Sequence, residues 1–292
     1  MDIFQRVNQN RYLIAIFILI LIFVLYWSYT NVKPEIRNLN GDTIGILGHR
    51  GMSRCYHYPG NSLPSILEAL RIGAIGCELD VQLTKDGSLV AYHHKELDQY
   101  TNFKGSVRDH EAGELMDCHY KGDHPENVSL VLVDRLFEIL GKDNEYIFSF
   151  DCKFNIEDEK ERVAHYVEFI DAIETLVNKH DMNNRIFIEA DHVDFHRLLR
   201  SRGISVRQFI TGNGVKKGLI IASELGLFGI GVGSRISKKE VERAHGLGLR
   251  VMTWTPTNAL SNARAARKNP DYIQTADVAH LVKLLERERG PE

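Results

Sequence analysis

The chain has few cysteines, little net charge and no repeated or low-complexity segment, and each absence excludes a class of protein. Its 292 residues contain four cysteines, with no CxxC pair and no spacing typical of a zinc site. The net charge of −3 argues against a nucleic-acid-binding protein, which is normally basic. The lack of a repeat excludes a solenoid or propeller array. What remains is an ordinary globular composition, 43% hydrophobic and 26% charged.

Charge is absent altogether from residues 12–29, which read YLIAIFILILIFVLYWSY. A helix of about 18 residues at about 1.5 Å per residue is about 27 Å long, enough to cross a thin bilayer core. Aromatic residues at both ends fit the interfacial belt of a membrane span. A cleaved signal peptide and a buried core helix are the alternatives. We predict an uncleaved anchor, because the bulky residues that follow offer no small-x-small cleavage site.

The charges that flank this run bear on its orientation. Arg6 and Arg11 precede it with Asp2 as the only acid, and Lys33 and Arg37 follow it. Because two basic residues stand on each side, the positive-inside rule does not favour either orientation of the segment. A short basic head usually leaves the downstream domain outside the cytoplasm, so we predict a single-pass membrane protein with an extracytoplasmic catalytic domain.

From residue 43 onward, apolar strand-like runs alternate with helical patterns, which is typical of a parallel α/β architecture. Eight strands are predicted, at 44–48, 75–81, 146–151, 185–189, 206–210, 228–232, 249–254 and 272–275. Eight strands close a (β/α)₈ barrel, although the pattern alone also fits an open doubly wound sheet. A further run at 89–93 is predicted as an arm that the Asp86-Gly87 turn folds back onto the second strand.

Acidic and histidine side chains stand near the ends of the first two predicted strands. Glu78 and Asp80 are two residues apart, so on a strand they share one face. Paired carboxylates suit a hard divalent cation, Mg²⁺ or Ca²⁺. His49 and His93 flank the pair and could act as a general acid and a general base. The pattern favours phosphoryl-ester chemistry over the plainer alternative of a solvated strand face with structural histidines.

The joint spacing of these motifs resembles the glycerophosphodiester phosphodiesterase family. The motifs are HRG at 49–51, GCELDV at 76–81, TKDG at 84–87, LDQYTNFKG at 97–105, YIFSFDCK at 146–153 and VMTWT at 251–255. The resemblance implies a TIM barrel rather than an open sheet. It also implies a phosphoric diester hydrolase that uses one divalent cation to release glycerol 3-phosphate and an alcohol from a small-molecule or lipid phosphodiester.

The resemblance also implies roles for eight residues. The metal ligands would be Glu78, Asp80 and Asp151; the catalytic acid and base His49 and His93; the phosphate-binding residues Arg50 and Lys153; and the residue lining the substrate pocket Trp254.

The domains would be a head at 1–11, the anchor at 12–29, a flexible linker at 30–42 that keeps the barrel mouth close to the membrane, and the barrel at 43–292 with an insertion at about 100–130 that forms a lid or a substrate-selecting rim. The sequence indicates no oligomeric state.

Three positions depart from the family pattern. Asp151 stands where the family usually has glutamate, Gly60 replaces the acidic residue of PEN, and His94 replaces the aspartate after the second histidine. Two alternatives remain open. The anchor at 12–29 would hold the site near a bilayer, which favours phospholipase-D-like cleavage of lysophospholipids or related lipid diesters. Gly60 and His94 instead favour a membrane-tethered binding protein with weak catalysis.

Further expectations concern residues outside the motifs. Glu189 ends the fourth barrel strand, and we expect it to be exposed at the rim. Cys77 and Cys152 alternate with the proposed ligands, so we expect them to point towards the helices as buried, reduced core residues. Cys55 and Cys118 could form a disulfide if the domain lies outside the cytoplasm.

Overall fold

The computed structural model describes residues 3–52, 56–124, 127–156 and 158–286. Within these ranges the strands are β1 Gly45–His49, β2 Gly76–Leu83, β3 Leu89–Ala91, β4 Val131–Leu132, β5 Ile147–Cys152, β6 Ile186–Ala190, β7 Arg207–Ile210, β8 Gly229–Gly233, β9 Arg250–Trp254 and β10 Tyr272–Thr275. The helices are α1 Ile3–Asn31, α2 Leu63–Arg71, α3 Ala112–Leu115, α4 Val133–Leu140, α5 Glu159–His180, α6 Val193–Ser201, α7 Gly214–Leu225, α8 Lys238–Gly246, α9 Ala259–Ala266 and α10 Val278–Glu286.

Eight of these strands are parallel and close into a barrel. They follow in the order β1-β10-β9-β8-β7-β6-β5-β2, and β1 also pairs with β2, which closes the ring. All eight predicted strands are confirmed, and so is the prediction of a TIM barrel. The arm is confirmed as well, because β3 runs antiparallel to β2 and β4 extends it.

Large apolar side chains fill the lower part of the barrel interior. Leu47, Phe187, Phe209, Met252 and Tyr272 form one buried cluster contributed by five strands. These residues are the first to third of their strands, so the cluster fills the barrel interior below the residues at the strand ends. Polar side chains can therefore gather at the opposite end, where the strands finish.

The insertion between β3 and β5 has its own small core beside the barrel mouth. Tyr92, Leu97, Val107, Leu115 and Cys118 belong to its buried cluster. Two short bridges, Thr101 with Tyr120 and His119 with Ser129, hold its loops together. The insertion is therefore a packed wall of the mouth.

The N-terminal helix α1 is long and apolar enough to cross a membrane. Its segment Tyr12–Asn31 has a mean hydropathy of 2.5 and is 6% buried, so it is not a core helix of the barrel. The helix begins at Ile3 and thus includes the described part of the predicted head 1–11.

The segment that follows α1 is bound to the barrel, so the prediction of a flexible linker is wrong. The backbone amides of Arg37 and Leu39 donate to the side chains of Asn269 and Asp271, at 3.0 and 2.8 Å. These contacts join residues 232 positions apart in the chain. At the end of α1, the Arg267 guanidinium lies 4.1 Å from the centre of the Tyr29 ring. The end of the apolar helix α1 and the segment after it are therefore packed against the barrel.

Two of the cysteines, Cys77 and Cys152, follow the prediction. Cys77 and Cys152 are buried and free, and both belong to the core cluster between the barrel and its helices. Cys118 is also buried and free, inside the insertion. Cys55, the other half of the predicted disulfide, lies outside the described residues.

Candidate active site

A cavity of about 650 Å³ lies at the carboxyl ends of the barrel strands. Seven of the eight predicted site residues line it: His49, Arg50, Glu78, His93, Asp151, Lys153 and Trp254. The eighth, Asp80, is 1% exposed and lies beneath the cavity, where it pairs with Arg50 and Lys153. The fold thus brings together residues from four barrel strands and the arm.

Strand register places the three acids side by side. On β2, Glu78 and Asp80 face the same way, and Asp80 lies beside Asp151 of β5. One oxygen atom from each of the three carboxylates lies within 4.8 Å of the others. Two oxygens that bind one Mg²⁺ or Ca²⁺ at about 2.0–2.6 Å lie at most about 5 Å apart. The three acids therefore fit a single divalent cation.

Two cationic side chains neutralise the acids. The Arg50 Nε atom lies 2.7 Å from Asp80 Oδ2, and Lys153 contacts both Asp80 and Asp151. Burial alone would raise the pKa of Asp80, but Arg50 and Lys153 outweigh burial and hold that pKa below its ordinary value. Burial alone would lower the pKa of Lys153, whereas the two aspartates raise it. Both cations are thus held charged at the floor of the cavity.

Glu78 is the acid that lacks such a partner. Burial, followed by the charges of Asp80 and Asp151, raises the pKa of Glu78 well above its ordinary value. The backbone amide of Arg50 donates a hydrogen bond to Glu78 Oε2 at 3.0 Å, and the His49 Nε2 atom lies 3.8 Å from the same oxygen. A cation bound by the acids would relieve their mutual repulsion.

The two histidines are neutral at pH 7. Burial, with a further contribution from Arg50, lowers the pKa of His49 to about 3. Burial also lowers the pKa of His93, to about 4, where Arg50 and Lys153 outweigh the attraction of Asp80. Within the described residues the Nδ1 atoms of both rings are buried and make no hydrogen bond. A neutral imidazole can accept a proton, and the negative charge of a bound phosphate would raise the pKa of either ring.

Glu189 is buried rather than exposed at the rim, so that expectation is wrong. It is 3% exposed and lies beside Asp151 across the β5–β6 ladder. Ser149 Oγ donates a hydrogen bond to its Oε1 atom at 2.7 Å, and the Gln274 side chain donates a second one. Burial, with the nearby Asp151 charge, raises the pKa of Glu189 to about 8. The residue is therefore mostly a neutral acid at pH 7.

Space for this buried acid comes from a glycine. A Cβ atom on Gly231 would lie 2.7 Å from the Thr211 methyl group and 3.3 Å from Glu189 Oε2. Ser149 lies inside the YIFSFDCK motif without an assigned role, and no quoted motif contains Gln274 or Gly231. The one available signal was strand alternation, which puts Ser149 on the same face of β5 as Asp151.

The departures from the family pattern surround Arg50. A Cβ atom on Gly60 would lie 2.9 Å from the Arg50 Cβ atom, so a side chain there would displace the arginine. The neighbouring Asn61 donates to Asp80 Oδ2 at 2.9 Å and accepts from the Asp80 amide at 3.2 Å. The His94 ring stacks on Tyr100 with centroids 3.8 Å apart. Asn61 thus supports a proposed ligand, and His94 belongs to the insertion side of the mouth.

Comparisons with known proteins identify a family that this chain matches. Residues 49–280 match the model of the glycerophosphoryl diester phosphodiesterase family. A glycerophosphodiester phosphodiesterase of Bacillus altitudinis is 33% identical over 131 residues, which is 41% of this chain and 53% of that protein. One from Caldanaerobacter subterraneus is 34% identical over 114 residues, 38% of this chain and 46% of that protein. These alignments span about half the length of the relatives.

Solved structures show the same fold. A glycerophosphodiester phosphodiesterase of Thermotoga maritima superposes with a TM-score of 0.62 at 22% identity, and the match covers 83% of this chain and 98% of that chain. An Oleispira antarctica phosphodiesterase, solved with the product sn-glycerol-3-phosphate, has a TM-score of 0.68 at 15% identity and covers 90% of this chain and 99% of its own. Because the family match extends over most of the barrel, the chain belongs to the glycerophosphoryl diester phosphodiesterase family.

Proposed function

We propose that the protein hydrolyses glycerophosphodiesters to glycerol 3-phosphate and an alcohol, with the help of one divalent cation. The observation that carries the proposal is the single cavity in which three carboxylates, two cations and two neutral histidines converge. The family membership and the product complex of the Oleispira antarctica phosphodiesterase support the same reaction.

The cation would be held by Glu78, Asp80 and Asp151. All three ligand atoms are carboxylate oxygens, which suit Mg²⁺ or Ca²⁺ better than a softer metal. The buried Asp80 Oδ1 atom makes no hydrogen bond to the described residues, although Lys153 Nζ lies 3.2 Å away, so it remains available as a ligand. A bound cation would supply Lewis acidity at the phosphate and neutralise its developing charge.

The side chains would divide the remaining work. Arg50 and Lys153 would bind the phosphate oxygens, and Trp254 would line the substrate side of the cavity. One histidine of the pair would take the proton of the attacking water as its oxygen bonds to phosphorus. The other histidine, protonated beside the bound phosphate, would give a proton to the leaving alcohol oxygen as the bond to phosphorus breaks.

Substitution of the two histidines tests this division. His49→Ala and His93→Ala should each lower kcat for glycerophosphocholine by about 10²–10⁴-fold, the usual contribution of a general acid or base. His119→Ala is the matched control, because His119 lies in the insertion outside the cavity lining and should leave kcat unchanged. Activity that persists in either variant at the control's rate would reject the proposal.

Lysophospholipid cleavage is the second candidate function, and the apolar helix that contacts the barrel at its end favours it. A barrel held at the membrane surface would meet lipid diesters directly. Turnover of lysophosphatidylcholine at a rate comparable with glycerophosphocholine would support this candidate, and no turnover of the lysolipid would reject it. Loss of turnover for both substrates would favour a membrane-tethered binding protein.

For the whole chain we propose a head at 1–11, a membrane anchor at 12–29, a joint at 30–42 and a catalytic barrel at 43–292 with an insertion at about 100–130. The barrel would lie outside the cytoplasm. Protease treatment of intact cells should then degrade the barrel. If the barrel is protected until the membrane is permeabilised, it lies on the cytoplasmic side instead.

A further inference from the structure

A second cavity, of about 320 Å³, opens on the insertion side of the catalytic centre. It shares Arg50 and His93 with the main cavity, and its other walls include Gly60, His94, Tyr100 and Lys121. We call it the insertion cavity. A phosphate held by Arg50 beside His93 would therefore have one ester group in the main cavity and the other in the insertion cavity.

The two cavities differ in charge. Acids and cations both line the main cavity: Glu78, Asp151, Glu189 and Asp191 together with Arg50, Lys95 and Lys153. Among the described residues that line the insertion cavity there is no carboxylate, whereas Arg50 and Lys121 carry positive charge. Gly60 contributes no charge to this cavity, and the Arg50 charge is paired with the buried Asp80 at 2.7 Å. The Lys121 ammonium, which donates to the Asp98 carbonyl oxygen, therefore carries the net positive charge of the insertion cavity.

The walls of the insertion cavity combine ring faces with polar groups. His94 and Tyr100 stack with an interplanar angle of 19°, and Tyr120 donates a hydrogen bond to the Gly60 carbonyl at 3.4 Å. Burial, with the nearby Arg50 charge, lowers the pKa of His94, so its neutral ring can both donate and accept hydrogen bonds. Ring faces and such groups suit the CH face and the hydroxyls of a polyol. A quaternary ammonium would instead meet the like charge of Lys121.

We infer that the insertion cavity receives the leaving alcohol and selects an uncharged or anionic polyol, such as glycerol or inositol, over choline or ethanolamine. This inference rests on the proposed phosphodiesterase function. It gives Gly60, His94, Tyr100 and Lys121 a shared role in specificity, which the catalytic groups of the main cavity do not need.

The test compares kcat/KM of the full-length protein for glycerophosphoinositol and glycerophosphocholine. We expect the inositol substrate to be preferred by about tenfold or more. Lys121→Glu should reduce this preference about tenfold, because the lysine repels the choline cation and the glutamate would attract it. Lys142→Glu, the same charge change in an exposed loop before β5, should leave the preference unchanged. Tyr100→Leu keeps the charge and removes the stacked ring, so it should lower kcat/KM for glycerophosphoinositol about fivefold with little effect on glycerophosphocholine.

A wild-type preference for glycerophosphocholine would overturn the inference and leave the proposed function standing. The same holds if Lys121→Glu and Tyr100→Leu both keep the wild-type Tm and the wild-type substrate preference. A wild-type protein that turns over neither substrate would overturn the proposed function and this inference together.

Discussion

Replacing Glu189 by glutamine should change the pH dependence of stability more than stability itself. The carboxyl group lies inside the barrel and accepts hydrogen bonds from Ser149 and Gln274 at one oxygen. Glutamine has nearly the same shape, and its carbonyl oxygen can accept the same two bonds. The difference is that the glutamate titrates and the amide does not.

The sign and size follow from the shifted pKa. The fold raises the pKa of Glu189 from 4.5 to about 8. Between these values the folded protein holds a proton that the unfolded chain has released, so the free energy of unfolding falls as the pH rises. Each pKa unit is worth about 1.4 kcal/mol. From pH 5 to pH 8 the wild type should therefore lose about 3–4 kcal/mol through this residue, and Glu189→Gln should lose none of it.

Urea unfolding of the full-length protein in detergent measures the effect, with EDTA present so that no metal holds the neighbouring acids. The Glu189→Gln variant should resemble the wild type at pH 5 and exceed its stability progressively up to pH 8. Glu189→Ala, which leaves a buried cavity, should be destabilised at every pH. A difference between wild type and Glu189→Gln that stays constant within about 0.5 kcal/mol across this range would show that the group does not titrate as argued.

Three further changes have expected outcomes. Asp271→Asn should lower the free energy of unfolding, measured with urea, by about 2–4 kcal/mol. The reason is that the carboxylate accepts hydrogen bonds from two backbone amides and from His245. An unchanged free energy would show that Asp271 does not hold segment 30–42 to the barrel. Lys153→Met should lower kcat by about 10²–10³-fold in steady-state assays while the fold is retained, and an unchanged kcat would remove Lys153 from the phosphate site. Gly76→Ala should prevent normal folding, seen as loss of soluble protein, since the new methyl group would lie 1.6 Å from the Ile147 carbonyl oxygen; a wild-type yield and Tm would contradict this packing.

The barrel could be predicted because parallel strands covered by helices are apolar on both faces and stand out in the sequence. All eight residues of β2 are buried, for example, although Glu78, Asp80 and Gln82 alternate with its apolar residues. Polar residues inside such a run are costly unless they are functional or paired. The same contrast that marked the strand therefore also marked the site.

Glu189 could not be placed by the same reasoning. An acid at the end of a strand can face the open mouth or the barrel interior, and the choice depends on its partners. Ser149 and Gln274 lie 40 and 85 positions away in the chain, on strands whose neighbours are set by barrel closure. Only the assembled barrel shows that both donors meet this carboxyl group.

The prediction of a flexible linker after α1 failed for a related reason. Residues 30–42 contain proline, glycine and asparagines, a composition typical of a flexible connection. In the fold, Asn38 and Asn40 instead donate hydrogen bonds to the carbonyls of Pro270 and Asp271. Local composition describes the freedom of an isolated segment, and it does not report contacts with residues more than two hundred positions away.

The most direct measurement of the central claim is phosphorus NMR of a glycerophosphodiester incubated with the full-length protein, first in EDTA and then with excess Mg²⁺ or Ca²⁺. The three carboxylates that lie within 4.8 Å of one another predict that the glycerol 3-phosphate signal appears only after the ion is added. A product signal that grows at the same rate in EDTA, or that is absent with either ion, would contradict metal-dependent hydrolysis at Glu78, Asp80 and Asp151.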